Sequence, residues 1–121
     1  MLKKDLPPCP VELTFLLISN KWKILIIRDL LEGTKRFSEL KKSITNISQK
    51  VLTSNLREME ENELLTRKVY PEVPPRVEYT LTDIGYSLKP LLDDMDKAIE
   101  TLKQKIDAPL LGEIAYIHRP E

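Results

Sequence analysis

The sequence predicts a mainly α fold with one small β-hairpin. Three observations carry that prediction: four helix-like stretches in the first half, two alternating segments around a proline-rich turn, and a final stretch whose apolar residues step by four and three. With 121 residues the chain suits a single domain, expected to divide into an arm at 1–9, a body at 10–82, a last helix at 83–106 and a tail at 107–121. One cysteine, Cys9, excludes an internal disulfide framework. With one histidine, His118, it also excludes the common zinc ligand sets, so no metal and no cofactor are expected. The longest apolar runs, 15–18 and 24–27, are far too short for a membrane span, and the opening residues lack the apolar core of a signal peptide. The expected location is the cytoplasm. Nineteen basic residues balance nineteen acidic ones, so any argument for a polyanionic partner rests on where the charges sit.

Pro7, Pro8 and Pro10 suppress regular structure at the start, but Pro10 suits the first turn of a helix, where a missing N–H costs nothing. That helix is expected over 10–18, and Ser19 with Asn20 breaks it. Residues 21–31 carry Trp22, Ile24, Leu25, Ile26, Ile27, Leu30 and Leu31, apolar on nearly every side, which marks a central helix. Trp22 there reads as core. Gly33 is the expected left-handed cap, and Phe37, Leu40 and Ile44 recur at helical spacing on a short third helix. Ser48 then caps a fourth helix with Leu52, Leu56 and Met59 on one face and Lys50, Thr53, Ser54 and Arg57 on the other. One face packs, and the other is free to read something. Asn62 is the expected stop. Strands follow at 64–69 and 77–81, with Tyr70 and Tyr79 as packing residues and Pro71, Pro74 and Pro75 stiffening the turn. Thr82 caps the last helix, which Gly85 and Pro90 should weaken or kink. Its apolar residues Leu88, Leu92, Met95, Ile99, Leu102 and Ile106 form a heptad seam, expected to meet a second subunit.

Three helices, a polar-faced fourth and a hairpin stand in the order of a winged helix-turn-helix, the turn at 45–47 joining the third helix to the reader. Between residues 35 and 57, Lys35, Arg36, Lys41, Lys42, Lys50 and Arg57 oppose only Glu39, a local charge of +5 in a neutral chain. The acids gather elsewhere, at Glu58, Glu60, Glu61 and Glu63 and at Asp93, Asp94 and Asp96. Such segregation is the footprint of a surface for double-stranded DNA. Gln49, Lys50, Thr53, Ser54 and Arg57 are the candidate base readers. Arg36, Lys41, Lys42 and Ser48, with Arg67, Lys68 and Arg76 from the hairpin, are the candidates for the DNA backbone. A dimer would place two such helices about 34 Å apart on an inverted repeat.

The segments Cys9-Pro10-Val11-Glu12, Asn20-Lys21-Trp22-Lys23-Ile24-Leu25-Ile26-Ile27-Arg28, Arg36-Phe37-Ser38-Glu39-Leu40, Ile47-Ser48-Gln49-Lys50-Val51-Leu52-Thr53, Leu56-Arg57-Glu58-Met59-Glu60 and the run from Tyr70 to Thr82 resemble the HxlR-type winged-helix transcriptional regulators. The likeness spans about residues 9–92 in the family's order. It implies a homodimeric DNA-binding regulator, a repressor or an activator, with dimer contacts from the first and last helices. It also implies that a Cys near the start of the first helix can sense oxidants or electrophiles. Glu63 stands where the family usually has Gly, which leaves the helix stop to Asn62, and the last helix lacks the family's late aromatic residue.

Cys9 stands at the N-terminus of the first helix, where unpaired N–H groups stabilise negative charge and Lys3 and Lys4 are near in sequence. It is the candidate regulatory thiol, against the plain alternative of a small packing residue. Catalysis has no support, since His118 lies in the tail and no nucleophile is paired with a base. The remaining rival is a winged-helix module that binds another protein and never touches DNA. The polar fourth-helix face argues against it, because protein-binding faces carry aromatic or Met anchors.

Overall fold

The computed structural model describes residues 9–106; the arm residues before Cys9, with Lys3 and Lys4, and the tail from 107, with His118, lie outside the described residues. The elements run α1 (Pro10–Leu17), α2 (Lys21–Leu30), β1 (Lys35–Arg36), α3 (Phe37–Ser43), α4 (Gln49–Glu61), β2 (Leu65–Tyr70), β3 (Arg76–Leu81), α5 (Asp83–Tyr86) and α6 (Lys89–Lys105). No helix among the described residues is long and apolar enough to cross a membrane.

The core is built from side chains the periodicity marks. Ile26, Ile27 and Leu30 of α2, Leu40 of α3, and Leu52, Leu56 and Met59 of α4 are buried, together with Ile44 and Ile47 from the α3–α4 turn. Each such side chain contributes about 1.5–3 kcal/mol relative to exposure. Trp22 and Phe37 pack half-buried at the edge of this cluster. Pro10 opens α1 without losing a hydrogen bond, and Asn20 opens α2 by accepting the Lys23 N–H at 3.1 Å. Ser48 opens α4 in the same way, accepting the Val51 N–H at 3.1 Å. Asn46 takes the left-handed conformation in the turn before it, with φ 68°.

Four features depart from the sequence expectation. The hairpin becomes a three-stranded antiparallel sheet in the order β1-β3-β2, because Lys35 and Arg36 pair with Tyr79 and Glu78. The last helix is two helices: α5 ends at Tyr86, and α6 restarts with Pro90 in its first turn, where proline breaks no bond. Left-handed backbone after α4 falls on Glu63 (φ 63°), while Asn62 keeps φ −87° and is buried. Finally, Gly33 has positive φ, but at 139° it lies well beyond the φ of the left-handed helical region.

Candidate nucleic-acid interface

Because α4 buries Leu52, Leu56 and Met59, its opposite side faces solvent. Gln49, Lys50, Ser54 and Arg57 are exposed there and Thr53 is half-buried among them. Together with Glu58 and Glu61 they line one open concavity. A second groove runs from Gln49, Thr53 and Arg57 to Arg67, Val77 and Tyr79 of the sheet, with Phe37 at its edge. The structure therefore brings all five candidate base readers together, with Arg67 beside them.

Strand alternation explains the place of Arg67 and divides the hairpin cations. Arg67 sits opposite Tyr79 in the β2–β3 ladder, whereas Lys68 sits opposite Glu78 and Tyr70 opposite Arg76. Successive side chains point to opposite faces, so Arg67 shares a face with Val69, Val77 and Tyr79, and Lys68 shares the other with Tyr70, Arg76 and Glu78. On that second face Arg76 is held by Glu72 and Glu78, each at 3.3 Å, and its guanidinium lies 4.0 Å from the Tyr70 ring centroid. The Lys68 ammonium covers the same ring at 4.9 Å. The three hairpin cations are thus not one patch.

Arg36, Lys41, Lys42 and Ser48 are exposed on and around α3. Among the described residues no ion pair engages Arg36, Lys41, Lys42, Lys50, Arg57, Arg67 or Lys68, while Lys35 pairs with Glu32 at 3.2 Å. The Glu39 carboxylate accepts the Arg36 backbone N–H at 2.7 Å, which fixes the start of α3 and turns that acid toward the chain. The result is a cationic surface over α3 and the start of α4, bordered toward the end of α4 by Glu58, Glu60 and Glu61.

Sequence reasoning missed Lys23. Its side chain is fully buried at the start of α2, and its ammonium donates to the Glu58 carboxylate and to the Ser19 hydroxyl at 3.0 Å. A lysine between Trp22 and the apolar run Ile24–Ile27 was the available signal, but its partner lies 35 residues away on α4.

At the other end of the molecule, Cys9 is the N-cap residue of α1, half-buried, with no side-chain capping bond. Val11 and Phe15 of the same helix are 75% and 68% exposed, and Pro10, Val11, Thr14, Phe15, Ile18 and Leu91 line an apolar depression between α1 and α6. The heptad seam is divided: Leu88 and Leu92 pack half-buried against the chain's own core, whereas Met95, Ile99 and Leu102 are 42%, 48% and 40% exposed.

The chain as a whole is similar to known proteins. The HTH-type transcriptional regulator YdeP of Bacillus subtilis (strain 168) is 43% identical over 103 residues, spanning 85% of this chain and 80% of that protein. Among solved structures, the reduced form of the transcriptional regulator YodB from B. subtilis matches with a TM-score of 0.71 at 39% identity, covering 84% of this chain and 100% of that one. The redox regulator HypR in its oxidised form matches with 0.70 at 41% identity, covering 77% and 96%. The fold is a winged helix, and with a family model described as HxlR-like helix-turn-helix matching residues 17–107, the chain belongs to that family.

Proposed function

We propose that this chain is a transcriptional regulator acting in the cytoplasm as a homodimer on an inverted-repeat DNA site. The single observation that carries the reading is the α4 surface, polar and exposed through Gln49, Lys50, Thr53, Ser54 and Arg57 opposite three buried apolar residues. Inserted in a major groove, Gln49 suits adenine and Lys50 or Arg57 suits guanine. Lys41, Lys42 and Arg36 hold phosphates, and Ser48, whose oxygen accepts the Val51 N–H, still has its hydroxyl proton to donate to one. Arg67 follows the helix toward the groove. Lys68 and Arg76, gathered over Tyr70, meet backbone only at the outer edge of the hairpin.

Dimerisation uses the exposed apolar residues of α1 and α6, which would otherwise remain in water. Cys9, beside that surface, is the regulatory thiol. One cysteine per chain permits a disulfide between subunits or an adduct with an electrophile or a small thiol. Either would alter the spacing of the two reading helices by displacing α1. The likeness to a redox regulator supports this role.

The test is binding to bulk and selected duplex DNA across a salt series. Lys42→Ala should weaken all sequences alike and flatten the salt slope by about one. Lys50→Ala should change sequence preference. Retention that does not fall with salt, or a Lys50→Ala variant with unaltered preference and affinity, overturns α4 as the reader and returns the protein-binding module as the better account. For the thiol, DNA binding is compared before and after complete modification by diamide or a quinone, and unchanged binding makes Cys9 a packing residue.

A further inference from the structure

We propose that Lys23 is the positioning residue of the reading helix: with Asn20 it fixes the rotation of α4 about its own axis, and so decides which side chains face DNA. The inference rests on α4 being the reader. The buried residues of α4 are Leu52, Leu56 and Met59 with the polar Asn55, and the packing of the three apolar ones alone is non-directional. Two polar links supply the missing direction. The fully buried Lys23 ammonium reaches the Glu58 carboxylate, and Asn20 donates from its side-chain amide to the Asn55 side-chain oxygen at 3.1 Å. Asn55 in turn donates to the Val51 carbonyl at 2.8 Å, so its own orientation is set by the helix it belongs to. Asn55 and Glu58 flank Ser54 and Arg57 in the sequence of α4, and successive residues are about 100° apart around a helix. A small rotation therefore moves Ser54 and Arg57 out of reach of a base edge, while long phosphate-binding side chains elsewhere still find their partners.

The two links are joined at their other end. Asn20 accepts the Lys23 backbone N–H at 3.1 Å, and Lys23 also donates to Ser19, so Ser19, Asn20 and Lys23 form one unit between α1 and α2. That unit ties α4 to the end of the helix that carries Cys9 and the exposed Val11 and Phe15. Buried charge is retained at a cost unless it is paired, and here the pairing specifies geometry.

The test uses the full chain, with two probes: the duplex that the native protein enriches from a random-sequence pool, and sheared bulk DNA. Lys23→Met should lower discrimination between the two by at least about tenfold, with bulk affinity held within about twofold by Arg36, Lys41 and Lys42, which it leaves untouched. If Lys23→Met does not fold, the double variant Lys23→Met/Glu58→Gln removes both charges, leaves no buried charge unpaired, and should show the same loss while folded by circular dichroism, with Glu58→Gln alone as the control for the altered charge beside the reading residues. Glu58→Gln, which keeps an oxygen to accept the Lys23 ammonium, should retain discrimination. A folded Lys23 variant, single or double, with discrimination within twofold of the native protein overturns the proposal, because a merely structural pair would lower stability and leave selectivity intact. A native protein that enriches no duplex instead overturns the reading on which the proposal rests.

Discussion

Glu63 shows how a single residue can take a conformation its side chain disfavours. The Leu64 N–H reaches the Met59 carbonyl at 2.9 Å and the Glu63 N–H reaches the Glu60 carbonyl at 3.0 Å, the paired bonds of a Schellman stop. That motif commonly sets its left-handed residue immediately before an apolar one that packs back on the helix. Leu64 is fully buried, so the left-handed position falls on Glu63. Asn62, the better left-handed residue by preference, is one place too early, since a stop there would put Glu63 where the apolar contact belongs. The sequence identifies the stop to within one residue; the register depends on Leu64 reaching the core, a tertiary fact. Left-handed backbone is costly for a residue with a Cβ, so Glu63→Gly should raise stability by about 0.5–1 kcal/mol net of the added freedom of the unfolded chain. Urea unfolding of the two proteins measures this, and a loss of stability would contradict the assignment.

At the level of elements, the short helix α5 is fixed by contacts outside itself. The Thr82 hydroxyl oxygen accepts the Gly85 N–H at 3.1 Å, and the Thr82 backbone N–H reaches the Leu64 carbonyl at 3.0 Å, locking α5 against the segment that follows α4. Gly85 is buried there with no room for a side chain: a Cβ would overlap the Leu64 carbonyl oxygen and come within 2.8 Å of the Leu81 side chain. Backbone on one side cannot yield as a flexible side chain would. Gly85→Ala should therefore destabilise by about 3 kcal/mol, the upper end for overpacking, although alanine favours helices. Thermal unfolding with an unchanged midpoint would show that α5 is free to move away. Gly85 is legible in the sequence as a weak point, but its function as a contact surface is not, because the contact comes from residue 64. The same limit hides β1, whose two charged residues carry no alternation and become a strand only because β3 offers a free edge. The polar face of α4 is legible for the opposite reason: Gln49, Lys50, Thr53, Ser54 and Arg57 lie on one helix, where spacing alone fixes the face. Dividing Arg67 from Lys68 needed only strand alternation, whereas stacking Lys68 and Arg76 over one tyrosine needed the register of the hairpin.

On the scale of the whole molecule, a neutral chain carries two surfaces of different character. Arg36, Lys41, Lys42, Lys50 and Arg57, without ion pairs among the described residues, lie around α3 and α4, and of the exposed large apolar side chains Val11, Phe15 and Leu16 lie on α1 and Met95, Ile99 and Leu102 on α6, with Val69, Val73 and Tyr86 elsewhere. The proposed dimer follows from this division, since only the second surface gains by leaving water. Leu91 and Leu92 at the start of α6 pack half-buried against the core, whereas Met95, Ile99 and Leu102 beyond them are exposed, so that later part of the stripe adds little to the fold of one subunit. Ile99, at the middle of the exposed part of that stripe, is the position where association and folding can be separated. Ile99→Lys places a lysine where nearly half the residue is already exposed, so circular dichroism and the unfolding midpoint should stay close to native. In a two-fold assembly the same change puts a charge at the seam from both copies. Sedimentation should then move from about twice 14.0 kDa to the mass of one chain. A site with two half-sites about 34 Å apart should be bound far more weakly, while bulk DNA retains its salt dependence through the cations of each subunit. Native protein sedimenting at a single chain's mass would overturn the dimer itself, whereas an Ile99→Lys protein that remains paired would remove α6 from the interface and leave α1, with Phe15, to supply it.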